Sequence, residues 1–207
     1  MIHLGLIGYP LSHSLSPQLH AAAFQALKLD GEYRLYPVAP NDNQGLAKLA
    51  QRLRLGKLQG LNVTIPHKQA ILPLLDKLTP SAQAIGAVNT LYLKGDRLIG
   101  HNTDAPGFLS DLHNSFGQPT VEKNALVLGA GGAARAVVYA LLTDGWNVTL
   151  AVRRADVDQA AALIESMRGA GSRLRAVDGW LECHSGRAPG GRGPGCGLDR
   201  VHARRGR

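Results

Sequence analysis

The chain has 207 residues, 44% of them hydrophobic and 18% charged, with 23 Lys and Arg against 15 Asp and Glu for a net charge of +8. That length fits one to two domains, and with no apolar run near the roughly 20 residues of a membrane span, a soluble globular protein without a membrane partner is expected. No basic leader followed by an apolar core opens the sequence, so a cytoplasmic location is expected. Half of the charge excess lies in residues 179–207, which hold six arginines, one glutamate, one aspartate and eight of the 25 glycines. This stretch has the composition of a disordered tail, and without aromatic interleaving or a nucleic-acid module it does not argue for a nucleic-acid partner. It also holds Cys183 and Cys196, which form neither a disulfide framework nor a metal-ligand spacing.

In chain order, Ile2 to Ile7 is a short apolar strand ended by Gly8-Tyr9-Pro10. Ser16-Pro17 has the form of an N-cap and a first helical position, and Leu19, Ala22, Ala23 and Leu27 fall on one face of the helix that follows. Glu32 to Val38 has strand character, Asn43 to Leu53 has helical spacing, and Gly60 to Ile65 is again a strand. This βαβαβ order predicts a mostly parallel sheet with helices packed on it. In the third strand Leu61, Val63 and Ile65 share one face and Asn62 and Thr64 the other, while Lys68 opens the next helix at the sheet edge where open α/β folds place their ligands. Lys94-Gly95-Asp96 marks a hairpin that leads to Asn102-Thr103-Asp104.

A second unit starts near Asn124, with a buried strand at Ala125 to Leu128, a glycine-rich turn and a helix from Arg135 to Leu142. A strand at Asn147 to Val152, a helix at Asp156 to Met167 and a strand at Leu174 to Val177 follow. The turn Gly129-Ala130-Gly131-Gly132-Ala133-Ala134 fits the G-x-G-x-x-A dinucleotide fingerprint in its strand-turn-helix setting. Gly129 permits the tight turn, Gly131 lets the backbone approach a pyrophosphate, and the helix N-terminus offers N–H groups to the anion. At the end of the next strand, where an NAD enzyme usually carries Asp or Glu, stand Arg153 and Arg154, whose guanidinium forks suit a 2′-phosphate. NADP is therefore the favoured cofactor, against the alternative that these are solvated surface charges.

Lys68 and Asp104 are the candidate acid-base pair for a hydride-transfer reaction, in which the alkoxide must gain or the hydroxyl lose a proton. A lysine at its ordinary pKa of about 10.4 is protonated at neutral pH, so a basic role requires burial or neighbouring charge. Spacing alone does not bring the two together, and taken by themselves both are typical surface residues. Ser14, Ser16, Asn62, Thr64, Asn89 and Thr103 are short hydrogen-bonding residues after strands or at turns, a set that suits a polyhydroxylated small molecule. Helix capping and turn formation are the alternative roles. His13, His20, His67 and His101 share no ligand spacing, so no metal site is expected.

The segments Gly8-Tyr9-Pro10, Ser12 to Pro17, Gly60 to Lys68, Gly86 to Thr90, Gly100 to Asp104 and Gly129 to Ala133, in this order, resemble shikimate dehydrogenase over roughly residues 1–178. The resemblance implies a substrate-binding α/β domain at 1–104 and a partial Rossmann-type NADP-binding domain at 105–178, followed by an anomalous tail at 179–207. It implies NADP-dependent interconversion of 3-dehydroshikimate and shikimate, a step of chorismate and aromatic amino acid synthesis. In that family pattern Ser14 and Ser16 hold the substrate carboxylate, Asn62, Thr64, Asn89 and Asp104 contact ring hydroxyls, and Lys68 is the acid-base group. Gly129 to Ala133 and Arg153, with Arg154 in place of the family threonine, would bind the cofactor. The family continues through an Asn-Ala-Thr strand and C-terminal helices with a substrate-binding glutamine, whereas this chain turns Gly-, Arg- and Pro-rich after Val177. A frameshift in a GC-rich gene is the expected origin, with weak or no turnover as its consequence. A quinate/shikimate dehydrogenase with relaxed cofactor use and a non-catalytic ligand-binding remnant are the alternative readings, and a homodimer is left open.

Overall fold

The computed structural model describes residues 1–117, 123–167 and 174–178. Expectations for the tail at 179–207, its cysteines included, lie outside the described residues. The first unit runs β1 (Ile2–Gly8), α1 (Ser16–Ala26), β2 (Gly31–Pro37), α2 (Asn43–Arg54), β3 (Gly60–Val63), α3 (His67–Ala70), a 3-10 turn at Leu72–Leu74, β4 (Lys77–Leu78), α4 (Pro80–Ile85), β5 (Thr90–Lys94) and β6 (Arg97–His101). Its six strands lie in the order β2-β1-β3-β5-β6-β4. The β1–β2, β1–β3 and β4–β6 pairs are parallel, and the predicted hairpin inserts the antiparallel pairs β3–β5 and β5–β6. A second, wholly parallel sheet has the order β7-β8-β9, from β7 (Asn124–Leu128), β8 (Asn147–Val152) and β9 (Leu174–Asp178). Helices α5 (Asp104–Phe116), α6 (Gly132–Thr143) and α7 (Val157–Ser166) complete the chain.

Alternation within β3 decides where the core forms: Leu61 and Val63 are buried with Ile7, Leu46, Leu53 and Leu91. The predicted third member of that face, Ile65, is 69% exposed, because the strand ends at Val63 and Pro66 follows soon after. The predicted apolar face of α1 is also not the one that packs. Leu19 and Leu27 are exposed, and the helix docks instead through buried Phe24, whose ring lies over Gly31. A Cβ at Gly31 would fall 2.5 Å from that ring, so the glycine admits the phenylalanine. In β7 the expected double-sided burial is found on one side: Ala125 and Val127 join the core that includes Phe108 and Leu112, while Leu126 and Leu128 are exposed. In α7 Ala160 and Leu163 are buried and Ile164 half-buried, with buried Met167 just past the helix end.

The two units meet through buried Ile85, Ala87, Ala105, Ala136 and Ala140. Arg135 of α6 is buried at the same contact, its Nε donating to the Ile85 carbonyl at 2.6 Å and an Nη to Ser166 Oγ at 2.9 Å. Burial pushes its guanidinium down from the ordinary value, and these two acceptors supply what the lost water did. Among the described residues no helix is long and apolar enough to cross a membrane, and no cluster of His, Cys, Asp or Glu could hold a metal ion.

Asp76 ties α2 to the sheet by accepting from Arg54 at 2.6 and 2.9 Å and from the Leu98 N–H at 2.6 Å. The Arg54 hydrogen bond, then the Leu98 N–H, lower its carboxyl from 3.8 to about 2. Because the folded value lies below the unfolded one, this contribution to stability is present above pH 3.8 and is lost as pH falls to about 2. Denaturant titrations of Asp76→Asn against the parent across that window are expected to show a shallower acid decline in the variant, with the two curves converging at low pH.

Candidate functional site

Parallel pairing of β1, β2 and β3 brings their carboxyl ends to one edge of the sheet. The hairpin reverses direction, so the start of β5 lies opposite the end of β3, with Thr90 paired to Asn62 and to His101. Residues distant in sequence thus converge there: Ser14 and Ser16 after β1, Thr64 and Lys68 after β3, Asn89 before β5, and Asn102 to Asp104 after β6. The Val63 N–H donates to the Asn89 carbonyl and the Val88 N–H to the Lys68 carbonyl, both at 2.8 Å.

At this edge Lys68 Nζ donates to Asp104 Oδ2 at 2.7 Å, with the lysine side chain 15% and the aspartate 32% exposed. The contact that spacing left open is therefore made. Asp104 opens α5, where its negative charge suits the positive end of the helix. Buried Asn102 accepts from the Asp104 N–H at 3.0 Å and the Ala105 N–H at 3.3 Å and donates to the Ala87 carbonyl. Asn89 donates to Asp104 Oδ1 at 2.8 Å and Thr103 Oγ1 at 2.7 Å, and its Oδ1 accepts from the Thr103 N–H at 2.9 Å and the Thr90 hydroxyl at 3.0 Å. Four bonds use the full capacity of that amide, so it holds the carboxylate in one orientation.

Asn62 continues the cluster, accepting from the Tyr33 hydroxyl at 2.8 Å and donating at 3.4 Å to Thr90 Oγ1 and to the Asn89 carbonyl. Burial raises the Tyr33 phenol to about 12, against an opposing hydrogen bond from Ser16. Ser16 is not the N-cap of α1: that position is Leu15, which makes no side-chain cap, and the Ser16 N–H is taken by Ser14 Oγ at 3.3 Å. The Ser16 hydroxyl, not used as a cap, meets the Tyr33 phenol instead. His67 is buried, with Nε2 2.7 Å from the Val38 carbonyl, and His101 Nδ1 lies 3.0 Å from Thr79 Oγ1, both structural contacts. Tyr33, Thr90 and Asn102 were not legible as site residues, because each sits within or beside a strand whose partners only the folded register reveals.

The glycine-rich turn has the predicted form. Gly129 has φ +97, a conformation open to glycine, and the extended N-cap Gly131 leaves the start of α6 without a side-chain cap. Nothing lies within 4 Å of a Cβ built on Gly131, so an anion can approach that backbone closely. Gly132 differs: its Cβ would fall 2.9 Å from Lys68 Cβ, so the turn abuts the lysine of the first unit. Ala130 is buried and Ala133 exposed. Arg153 and Arg154 are exposed after β8, and Arg153 Nε pairs with Asp156 at 2.7 Å, an acidic neighbour the sequence reading passed over.

Residues 6–91 match the shikimate dehydrogenase substrate binding domain. Over 166 residues the chain is 46% identical to shikimate dehydrogenase (NADP(+)) of Geobacter metallireducens, covering 80% of this chain and 57% of that protein. It is 50% identical over 176 residues to the enzyme of the same name from Citrifermentans bemidjiense, covering 84% and 58%. The chain is thus similar to shikimate dehydrogenases over about four fifths of its own length. It superposes on the crystal structure of shikimate 5-dehydrogenase from Thermus thermophilus, solved with NADP(H) and shikimate, with a TM-score of 0.71 and 42% identity over 86% of this chain and 63% of that one. Quinate dehydrogenase from Corynebacterium glutamicum, solved with NAD, is similar at TM-score 0.74 and 35% identity over 86% and 64%. The chain thus spans less than two thirds of the length of these shikimate dehydrogenase relatives.

The contrast between the two glycines of this shikimate dehydrogenase-like turn can be measured. Gly131→Ala is expected to leave thermal stability unchanged or slightly raised, since the alanine meets open space and the unfolded chain loses freedom. Gly132→Ala must displace Lys68 and is expected to cost about 1–3 kcal/mol as an overpacking change, read by denaturant titration.

Proposed function

We propose that residues 1–104 bind shikimate or 3-dehydroshikimate, that residues 105–178 form a partial Rossmann-type unit for NADP, and that together they perform NADP-dependent oxidoreduction of the substrate. The observation that carries this reading is the Lys68–Asp104 pair, held by Asn89 within the polar cluster and touching the glycine-rich turn. Ser14 and Ser16 are the groups for the substrate carboxylate, and Asn62, Thr64, Thr103 and Asp104 those for its hydroxyls, with Asn89 joining them by exchanging one of its bonds within the cluster for one to the ligand. In reduction the Lys68 ammonium gives a proton to the developing alkoxide and becomes the neutral amine, in oxidation that neutral amine takes the proton from the reacting hydroxyl, and Asp104 holds Nζ in line in both directions.

The open approach to Gly131, the left-handed Gly129 and the uncapped start of α6 fit a pyrophosphate, with Ala130, Gly132 and Ala133 completing the turn. Arg153 and Arg154 are the groups for a 2′-phosphate. NADP bound there supplies hydride transfer to and from the substrate carbon. The similarity to an NAD-bound quinate dehydrogenase and the Arg153–Asp156 pair support a second reading, relaxed use of NAD and of quinate. The proposal includes a small-molecule substrate with no nucleic-acid or membrane partner, a cytoplasmic setting, a place in chorismate synthesis, and a homodimer as the assembly to be tested by light scattering.

Calorimetric titration with shikimate and NADP, followed by assay of NADPH formation, tests the reading. Both ligands are expected to bind, and shikimate to give turnover slower than that of a longer relative. Lys68→Ala is expected to lower that turnover at least about 100-fold while shikimate and NADP still bind. Absence of shikimate binding by the parent chain sinks the proposal, and equal turnover with quinate and NAD moves it to the second reading.

A further inference from the structure

Tyr33 belongs to none of the motifs that carry the resemblance, yet it reaches the centre of the site. It lies on β2, paired with Leu4 of β1, and its side chain crosses β1 to Asn62 on β3. The His20 ring of α1 stacks on it, with centroids 3.9 Å apart and planes 6° apart. This stack is part of how α1 docks on β2, so the helix that follows the Ser14 and Ser16 loop holds the phenol in place.

The polarity of the contact follows from its partners. A side-chain amide has an oxygen that can only accept and a nitrogen that can only donate. One end of the Asn62 amide lies 3.4 Å from the Asn89 carbonyl, which can only accept, so that end is the nitrogen. The other end is then the oxygen, and Tyr33 must be its donor at 2.8 Å. The two bonds from the nitrogen are long, 3.4 Å to Asn89 O and 3.4 Å to Thr90 Oγ1, and an oxygen of a ligand can replace either. The firm bond of this amide is thus the one to Tyr33, and the nitrogen is the end left to meet a ligand.

We propose that Tyr33 is a positioning residue, whose hydroxyl, held by the His20 stack, fixes the Asn62 amide so that it presents its nitrogen as a donor to a ring hydroxyl of the substrate. The ligand half of this statement rests on the function proposed above, whereas the amide orientation does not. Phenylalanine at this position keeps the ring and its stack and removes one oxygen, and with it the bonds to Asn62 and Ser16, so the Asn62→Ala background is what isolates the Asn62 part.

Calorimetry with shikimate on the parent, Tyr33→Phe, Asn62→Ala and the double variant reads the coupling. Tyr33→Phe is expected to weaken binding about 10-fold in the parent and less than about 2-fold when Asn62 is already alanine, with NADP affinity unchanged. Asn62→Asp, which has no N–H to donate, is expected to lose at least as much. Equal effects of Tyr33→Phe in both backgrounds, or full affinity in Asn62→Asp, would overturn the proposal. The side-chain amide resonances of Asn62, assigned by their absence in Asn62→Ala, give a ligand-free readout. They are expected to move in Tyr33→Phe, and unmoved resonances refute the positioning role. If the parent binds no shikimate, the functional reading fails, and the amide resonances alone decide the positioning.

Discussion

The contact between Lys68 and Asp104 constrains the rest of this molecule, because each partner arrives from a different part of the chain. Lys68 is carried by α3 at the end of β3, and Asp104 by the first turn of α5 after the hairpin. The pair forms because antiparallel insertion of β5 and β6 beside β3 returns the chain to the same sheet edge. With the lysine side chain 15% and the carboxylate 32% exposed, the pair replaces part of the water each would otherwise bind. The carboxylate is further tied through Asn89, so its direction is set by a neutral amide as well as by the cation.

The same contact explains why two successive glycines do different work. The turn before α6 has open space at Gly131 and none at Gly132, where the backbone lies against Lys68. A dinucleotide fingerprint assigns its glycines to the phosphate and to helix packing. Gly132, at a position the fingerprint leaves free, is the glycine that the neighbouring unit requires. The start of α6 is therefore shared: its N–H groups face the open side of the turn, Gly132 meets Lys68, and Arg135, one turn further, anchors the helix to the end of α4.

Much of this was legible in the sequence where the signal is local. The alternating face of Leu61 and Val63, the hairpin at Lys94 to Asp96 and the strand-glycine-helix order around Gly129 each follow from short spacing and hold in the fold. What was not legible depends on which face another element covers. Leu19, Ala22, Ala23 and Leu27 share the predicted apolar face, yet Phe24 and His20 carry the contact, because Gly31 gives the phenylalanine room and Tyr33 gives the histidine a ring to stack on. Periodicity reports which side chains share a face and not what lies opposite. Leu126 and Leu128 make the same point in β7. The polar cluster was legible as a set of residue types and not as a network, since Asn62 reaches Tyr33 only through strand register.

The strand end at Arg153 and Arg154 shows how magnitude decides between readings that residue identity leaves balanced. Asp156 beside Arg153 suggests at first an acidic group suited to a ribose hydroxyl and hostile to a phosphate. Its bond, however, is to Nε of an arginine side chain that is 67% exposed. An exposed pair of this kind contributes about 0–1 kcal/mol, so little opposes its rearrangement. A 2′-phosphate brings up to two charges and several acceptor oxygens to Arg153 and Arg154, and charge-assisted bonds to a guanidinium fork are the stronger kind. On that balance the acidic neighbour does not bar a 2′-phosphate from Arg153 and Arg154 in the site proposed for the cofactor.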